Sequence, residues 1–357
     1  MESGPALTAI SRAWRSRIDV SSDYVVIGND AVSRTSFHDA WVYSSQHIAA
    51  LQHLSLLLST YEGMGFDEIF RGCEEETYEG TYYCIRSSEP LDMIDSDREE
   101  IRGRLLSDLT LVHGIGRKTE QRLKERGLRS IPDLITHRRF GKAAATTMKI
   151  LSGSAPKEIA ELVSRWHTSS HHLAFLTSSL YPSRDLLFID LETLGFFSRP
   201  IILFGLAEVK GRELVISQYL LRGIDEELPS LSAVHELLNH DRVIVSYNGK
   251  AFDIPYLAER SAFYGRPVVF RNPHYDLLHN ARKRWRQHFS DCRLGTLERQ
   301  LFGIERKDDI PSAMVPEFYE AFLITGNPGP LVPIVTHNRQ DLISLARLFC
   351  FLREEVI

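Results

Sequence analysis

The residues of this chain with the clearest chemical potential are Asp190 and Glu192. They interrupt the apolar run Leu186-Leu187-Phe188-Ile189-Asp190-Leu191-Glu192-Thr193. Such a run reads as a buried strand, and the period of two places both acids on one face at its C-terminal end. Adjacent carboxylates on an oily strand repel each other and resist desolvation, so a positive charge is needed to hold them. A divalent cation is the simplest candidate, and a strand end with two solvated acids is the plain alternative. Two further groups weigh against that alternative. In Tyr247-Asn248-Gly249-Lys250-Ala251-Phe252-Asp253 a buried strand ends and a helix opens on an acid. In His337-Asn338-Arg339-Gln340-Asp341, inside a helical stretch over 331–352, His337 and Asp341 stand four apart and share a face. Four carboxylates and an imidazole at strand and helix ends meet the needs of two-metal phosphodiester hydrolysis: hard oxygen ligands for Mg²⁺ or Mn²⁺ (two ions), and a base near the attacking water.

The elements that must position these groups follow from the pattern around them. After the first strand, residues 201–209 and 213–221 read as two more, joined by the turn Lys210-Gly211-Arg212. Residues 225–239 have helical periodicity, 243–247 form a fourth strand and 253–263 a second helix. The order β-β-β-α-β-α predicts an antiparallel meander extended by parallel strands, an α/β fold with a ribonuclease-H-like mixed sheet flanked by helices. Asp276, in His274-Tyr275-Asp276-Leu277-Leu278, is an acid behind the site or a helix N-cap, the cap being favoured. His235, His240, His274, His279 and His288 show no metal spacing and read as packing or surface residues.

Length and charge set the wider organisation. With 357 residues, 43% hydrophobic and 25% charged, the chain is globular and suits two or three domains. Residues 1–10 lack a basic start leading into an apolar core, and no apolar window is long enough to span a bilayer, so neither a signal peptide nor membrane association is expected. Four scattered cysteines without a Cys-x-x-Cys pair suggest a reducing, cytoplasmic setting. The net charge of −5 is unevenly spread: 7 Lys and Arg face 18 Asp and Glu in 1–100, whereas 14 face 6 in 101–180. A basic middle segment suggests a local polyanion-binding module. The expected division is an α+β region of unknown role over 1–104, a small all-α module and connector over 105–180, and the α/β domain over 181–357. Within the first region, 37–61 is helix-like and the Thr77-Tyr78-Glu79-Gly80-Thr81-Tyr82-Tyr83-Cys84-Ile85 stretch reads as a hairpin.

In the basic segment Leu105, Leu106, Leu109 and Val112 recur at helical spacing and stop at His113-Gly114-Ile115-Gly116, after which Arg117 and Lys118 open a second helix. Gly114 and Gly116 permit a tight turn that bares backbone N–H groups to a phosphate, with Arg117 and Lys118 as counter-charges. This pattern resembles the helix-hairpin-helix motif of DNA-repair and replication proteins over about 30 residues. Arg282-Lys283-Arg284-Trp285-Arg286 is basic with an aromatic inside it. It reads either as a strand-binding wall using Arg282, Arg284 and Trp285, or as an exposed helix with Trp285 turned into the core.

Taken together, residues 185–349 resemble the DEDD superfamily of 3′–5′ exonucleases, and within it the YprB-like group with a ribonuclease-H-like fold. Asp190, Glu192, Asp253 and Asp341 match the four metal-binding acids, and Asn248 and Phe252 match the second motif. The superfamily places His five residues before the last acid, or Tyr four before it; here His337 sits at the tyrosine spacing. The resemblance implies that Asp190 bridges two metals, that Glu192 and Asp341 hold the nucleophile-side ion and Asp253 the other, and that His337 orients or deprotonates the water. It further implies that Thr193 and Leu194 touch the terminal nucleotide and that Phe252 packs beneath the site. The resulting expectation is a metal-dependent 3′–5′ exonuclease on single-stranded or frayed DNA, with a nucleic acid as its partner. Its rivals are a nucleic-acid-binding scaffold without turnover and a structure-specific endonuclease on the same sheet.

Overall fold

The computed structural model describes residues 24–27, 40–195, 198–238, 241–306 and 309–356. Strands β1 (Tyr24–Ile27) and β2 (Ala40–Tyr43) pair in parallel, and helix α1 (Ser44–Thr60) follows. The helix expected over 37–61 is thus shorter; residues 37–39 of that expectation lie outside the described residues. Helix α2 (Phe66–Phe70) leads into β3 (Cys73–Thr77) and β4 (Gly80–Pro90), an antiparallel hairpin as expected. The α/β part contributes β5 (Leu186–Thr193), β6 (Ile201–Lys210), β7 (Glu213–Leu220), β8 (Val243–Ser246) and β9 (His274–Asp276).

These strands form a seven-stranded mixed sheet in the order β3-β4-β7-β6-β5-β8-β9. Pairing is antiparallel from β3 through β5 and parallel across β5, β8 and β9. The meander and its parallel extension stand where the sequence placed them. The hairpin β3–β4 is the addition: grouped by sequence with a separate N-terminal region, it pairs with β7 and completes the sheet. Arg339 binds it to the opposite layer through Ser87 and Glu89. A boundary at 104 therefore does not separate this region from the sheet. Edge strand β3 carries Glu74, Glu75 and Glu76, charges that discourage pairing with another chain.

Alternation along β5 divides the core. Leu187, Ile189 and Leu191 enter one apolar layer with α1, α8 (Glu227–Leu238), α9 (Asp253–Phe263) and α12 (Val315–Thr325). Leu186 and Phe188 enter the other, with α10 (Leu277–Trp285) and the long α13 (Val332–Val356). Asp190 and Glu192 share the parity of Leu186 and Phe188, so they rise on the face that α13 covers.

A third apolar cluster belongs to the helical module: α3 (Arg98–Leu106), α4 (Arg117–Glu125), α5 (Gly141–Gly153), α6 (Pro156–Ser164) and α7 (His172–Leu176). The single helix expected to run to Val112 is split instead. Ser107 bonds back to Arg104, and the Asp108 carboxylate accepts from Thr110 N to start a 3₁₀ turn at Leu109–Leu111. The module meets the C-terminal end of α13, where Arg104 donates to Val356 O and Arg353 to Ser179. Helix α11 (Leu294–Leu297) widens into a π turn, Glu298–Phe302, beside the site.

Candidate metal-dependent active site

Asp190 stands in a row that crosses three strands. It is paired with Gly205 on β6, and Gly205 with Gln218 on β7. Gly205 leaves a gap that Asn338 of α13 fills. Its amide donates to the Asp190 carboxylate at 2.8 Å and to the Asp190 carbonyl at 3.1 Å, and its oxygen accepts from Gln218 at 2.9 Å. Asn338 is 0% exposed and Gln218 1% exposed. A Cβ on Gly205 would lie 2.3 Å from Asn338 Oδ1. The register shift between Glu192 and Thr193 ends the regular ladder and marks where the strand turns into the site.

Asp253 is the first residue of α9, and Leu191 N donates to its Oδ1 at 3.1 Å. The loop before it is shaped by Asn248 at φ 67 and by Asp276. The Asp276 carboxylate caps α10 through Leu278 N and also accepts from Asn248 N at 2.8 Å and Lys250 N at 3.1 Å. The cap expected from sequence is present and doubles as the anchor of this loop. Gly249 is required here: a Cβ would stand 2.4 Å from Ser246 Oγ.

Helix α13 brings Asp341 and His337 to the same place. His337 Nδ1 lies 2.6 Å from Asp309 Oδ1, and Nε2 lies 3.4 Å from Asp341 Oδ2. Arg306 contacts Asp341, while its Nε and Nη2 bind Glu298 at 2.7 and 2.6 Å. Arg306 Nη1 is 3.2 Å from His337 Nδ1. With Nδ1 protonated and donating to Asp309, that last approach is not a hydrogen bond, since neither nitrogen can accept.

The electrostatics follow from burial and these partners. Burial, then the charges of Asp341, Glu192 and Asp253, hold the Asp190 carboxyl well above the usual carboxylate range. Burial pushes Glu192 up to about 7 and Asp253 up to about 7. Burial acts on Asp341 in the same sense, but His337 and Arg306 more than offset it and leave Asp341 below its ordinary value. For His337, burial opposes the charge, yet bonds to Asp309 and Asp341 and the nearby carboxylates outweigh it and push the imidazolium up to about 11. His337 is thus held between Asp309 and Asp341, whose carboxylates favour its charged form.

Asp190, Glu192, Asp253, His337 and Asp341 line one cavity of about 370 Å³, together with Thr193, Asn248 and Phe252. Among the described residues no three His, Cys, Asp or Glu side chains are already drawn into a metal-ligating set. Asp190, Asp253 and Asp341 are each turned to a protein donor instead. The donor set nonetheless fits a divalent cation. It offers hard carboxylate oxygens from three elements in one cavity, and among the described residues no cation pairs with Asp190, Glu192 or Asp253.

The remaining residues singled out by sequence are placed less uniformly. Phe252 packs against Tyr256 beneath the cavity, as expected. Leu194, expected at the terminal nucleotide, is buried in the apolar layer. Trp285 is 7% exposed and lies against Phe289 and Phe351, so the indole serves the core and is not offered to a base. Arg284 of α10 pairs with Glu355 on α13, and Arg282 stands exposed on α10. Gly114, at φ 84, and Gly116, the N-cap of α4, place the turn before Arg117 and Lys118 on the surface, with Ile115 tucked beneath. His274 and His235 bond to Ser246 and Ser261, packing roles as expected; His240 lies outside the described residues. The sequence reading missed Asn338, Gly205, Glu298, Arg306 and Asp309. Only Asn338 had a signal, its place between His337 and Asp341.

The seven-stranded mixed sheet and its flanking helices are consistent with a ribonuclease H-like fold, and residues 187–352 match the family RNase_H_2, described as RNase_H superfamily. Proteins of this superfamily are usually nucleases acting on nucleic acids. The chain is 30% identical over 207 residues to the protein named "Uncharacterized protein YprB" of Bacillus subtilis (strain 168), a match covering 56% of this chain and 49% of that one. The chain thus spans about half the length of that relative. Among solved structures it resembles part of the family B DNA polymerase of the archaeon Pyrobaculum calidifontis at 20% identity, over 46% of this chain and 24% of that one, with a TM-score of 0.37. That likeness is too partial to carry an argument. No helix among the described residues is long and apolar enough to cross a membrane.

Proposed function

We propose that this protein is a divalent-metal-dependent 3′–5′ exonuclease acting on single-stranded or frayed DNA. The observation that carries the reading is the set of Asp190, Glu192 and Asp253: carboxylates from two elements, Asp253 buried and the other two half-buried, that face one cavity and, among the described residues, form no salt bridge. With Asp341 they would hold Mg²⁺ or Mn²⁺, which when bound supplies Lewis-acid stabilisation and an activated water. Asn338 fixes the direction of the Asp190 carboxylate, and the Leu191 amide that of Asp253. His337, held between Asp309 and Asp341, would orient the attacking water. Thr193 and Asn248, which line the same cavity, would meet the terminal nucleotide, with Phe252 packed beneath. DNA is preferred because the Gly114–Lys118 turn fits a phosphate backbone, and the four free cysteines suit a reducing cytoplasm.

One observation favours the scaffold reading: Asp341 is paired with Arg306 and lies against His337. Digestion of 5′-labelled linear and circular single-stranded DNA and RNA, with Mg²⁺ or Mn²⁺, separates the readings. The exonuclease shortens linear DNA from the 3′ end, leaves circles intact and loses activity in Asp190→Asn. Cleavage of circles points to an endonuclease; no cleavage with DNA binding retained points to the scaffold.

A further inference from the structure

We infer that Arg306 is a positioning residue that stands in for a cation at Asp341 in the resting protein. Divalent binding there then requires the guanidinium to release Asp341 while staying anchored on Glu298. The inference rests on the reading of the four acids as a metal site. Its basis is an arrangement that the motifs do not foretell. Glu298 is 0% exposed and sits in the π turn, a feature common at functional sites. Its carboxylate grips Nε and Nη2 of Arg306 in a bidentate pair. That pair fixes the inner edge of the guanidinium, and Nη2 reaches across to Asp341. The Arg306 side chain is only 14% exposed, so its charge is felt strongly.

Competition for one carboxylate explains why release is needed. The single positive charge of Arg306 is shared between Glu298 and Asp341, and His337 lies between Asp341 and Asp309. A dication held by Asp341 would compete with the guanidinium for the same carboxylate, whereas a guanidinium turned aside would leave that carboxylate to the ion. There is room for that turn. Arg306 lines a cleft of about 1060 Å³, which also reaches His337 and Asp341, and a second of about 360 Å³.

The test is Mn²⁺ titration of the full chain by calorimetry, with melting followed in EDTA and in saturating Mn²⁺. Arg306→Gln is expected to bind Mn²⁺ about tenfold more tightly than wild type. It should also melt lower in EDTA, with the gap closing in Mn²⁺. Arg306→Lys keeps the charge, and provides the test if the Gln variant does not fold. An ammonium cannot span Glu298 and Asp341 as the planar fork does, so this variant too should bind more tightly than wild type. Unchanged or weaker Mn²⁺ binding in the folded variants overturns the inference alone. A wild type that binds no Mn²⁺ removes the metal-site reading and the inference with it.

Discussion

Gly205→Ala tests how the site is built. The added methyl would lie 2.3 Å from Asn338 Oδ1 and 2.5 Å from Nδ2, distances at which something must move. Asn338 cannot swing aside cheaply, because its amide is shared between Gln218 and Asp190 and has no solvent to turn to. Overpacking costs about 1–3 kcal/mol and a buried amide left without partners about as much again, so the substitution should destabilise by about 2–5 kcal/mol. For a domain of this size that corresponds to a fall in melting temperature of roughly 5–15 °C. The assay is urea and thermal unfolding of four proteins: wild type, Gly205→Ala, Asn338→Ala and the double variant. Once Asn338 is truncated the clash is gone, so Gly205→Ala should cost less than about 0.5 kcal/mol in that background. Equal costs in both backgrounds would refute the idea that Gly205 exists to admit Asn338.

Two other outcomes follow from buried charge. In EDTA, Glu192→Gln should gain stability relative to wild type as pH rises from 5 to 8: the folded Glu192 carboxyl is pushed up to about 7, above its unfolded value, so its contribution is present at low pH and lost as pH climbs through that range. A pH-independent difference in melting temperature would contradict this. Arg260 and Glu227 form a fully buried bidentate pair at 2.7 and 2.6 Å, so Arg260→Ala should cost about 3–5 kcal/mol by urea unfolding, and a loss under about 1 kcal/mol would show the pair to be solvated.

The strands and helices that carry the acids were legible because their signals are local. Period-two alternation along 186–193 and 3.6-residue periodicity along 331–352 report burial of one face whatever lies opposite. The same rule failed at Ser107 and Asp108, where short polar side chains bond to their own backbone and end a helix that the apolar spacing would continue. It also left Trp285 undecided, since a basic helix with one indole looks alike whether the indole faces a base or a core.

By itself the sequence determined the kind of chemistry available: hard carboxylate oxygens, an imidazole one helical turn from the last of them, and a sheet to hold the first two. Tertiary structure alone decided how those groups are oriented and neutralised. Asn338 reaches Asp190 across 148 residues and Gln218 across 120, and it does so only because a glycine happens to pair with Asp190 in the sheet. Arg306 carries no signal in the sequence and takes its place from Glu298 and Asp341, which close around it. The hairpin at 73–90 joins the sheet through a strand more than 120 residues away. Each of these depends on which distant segments become neighbours. That choice is made by burial of the two faces of the whole sheet, a quantity that no local window of sequence contains.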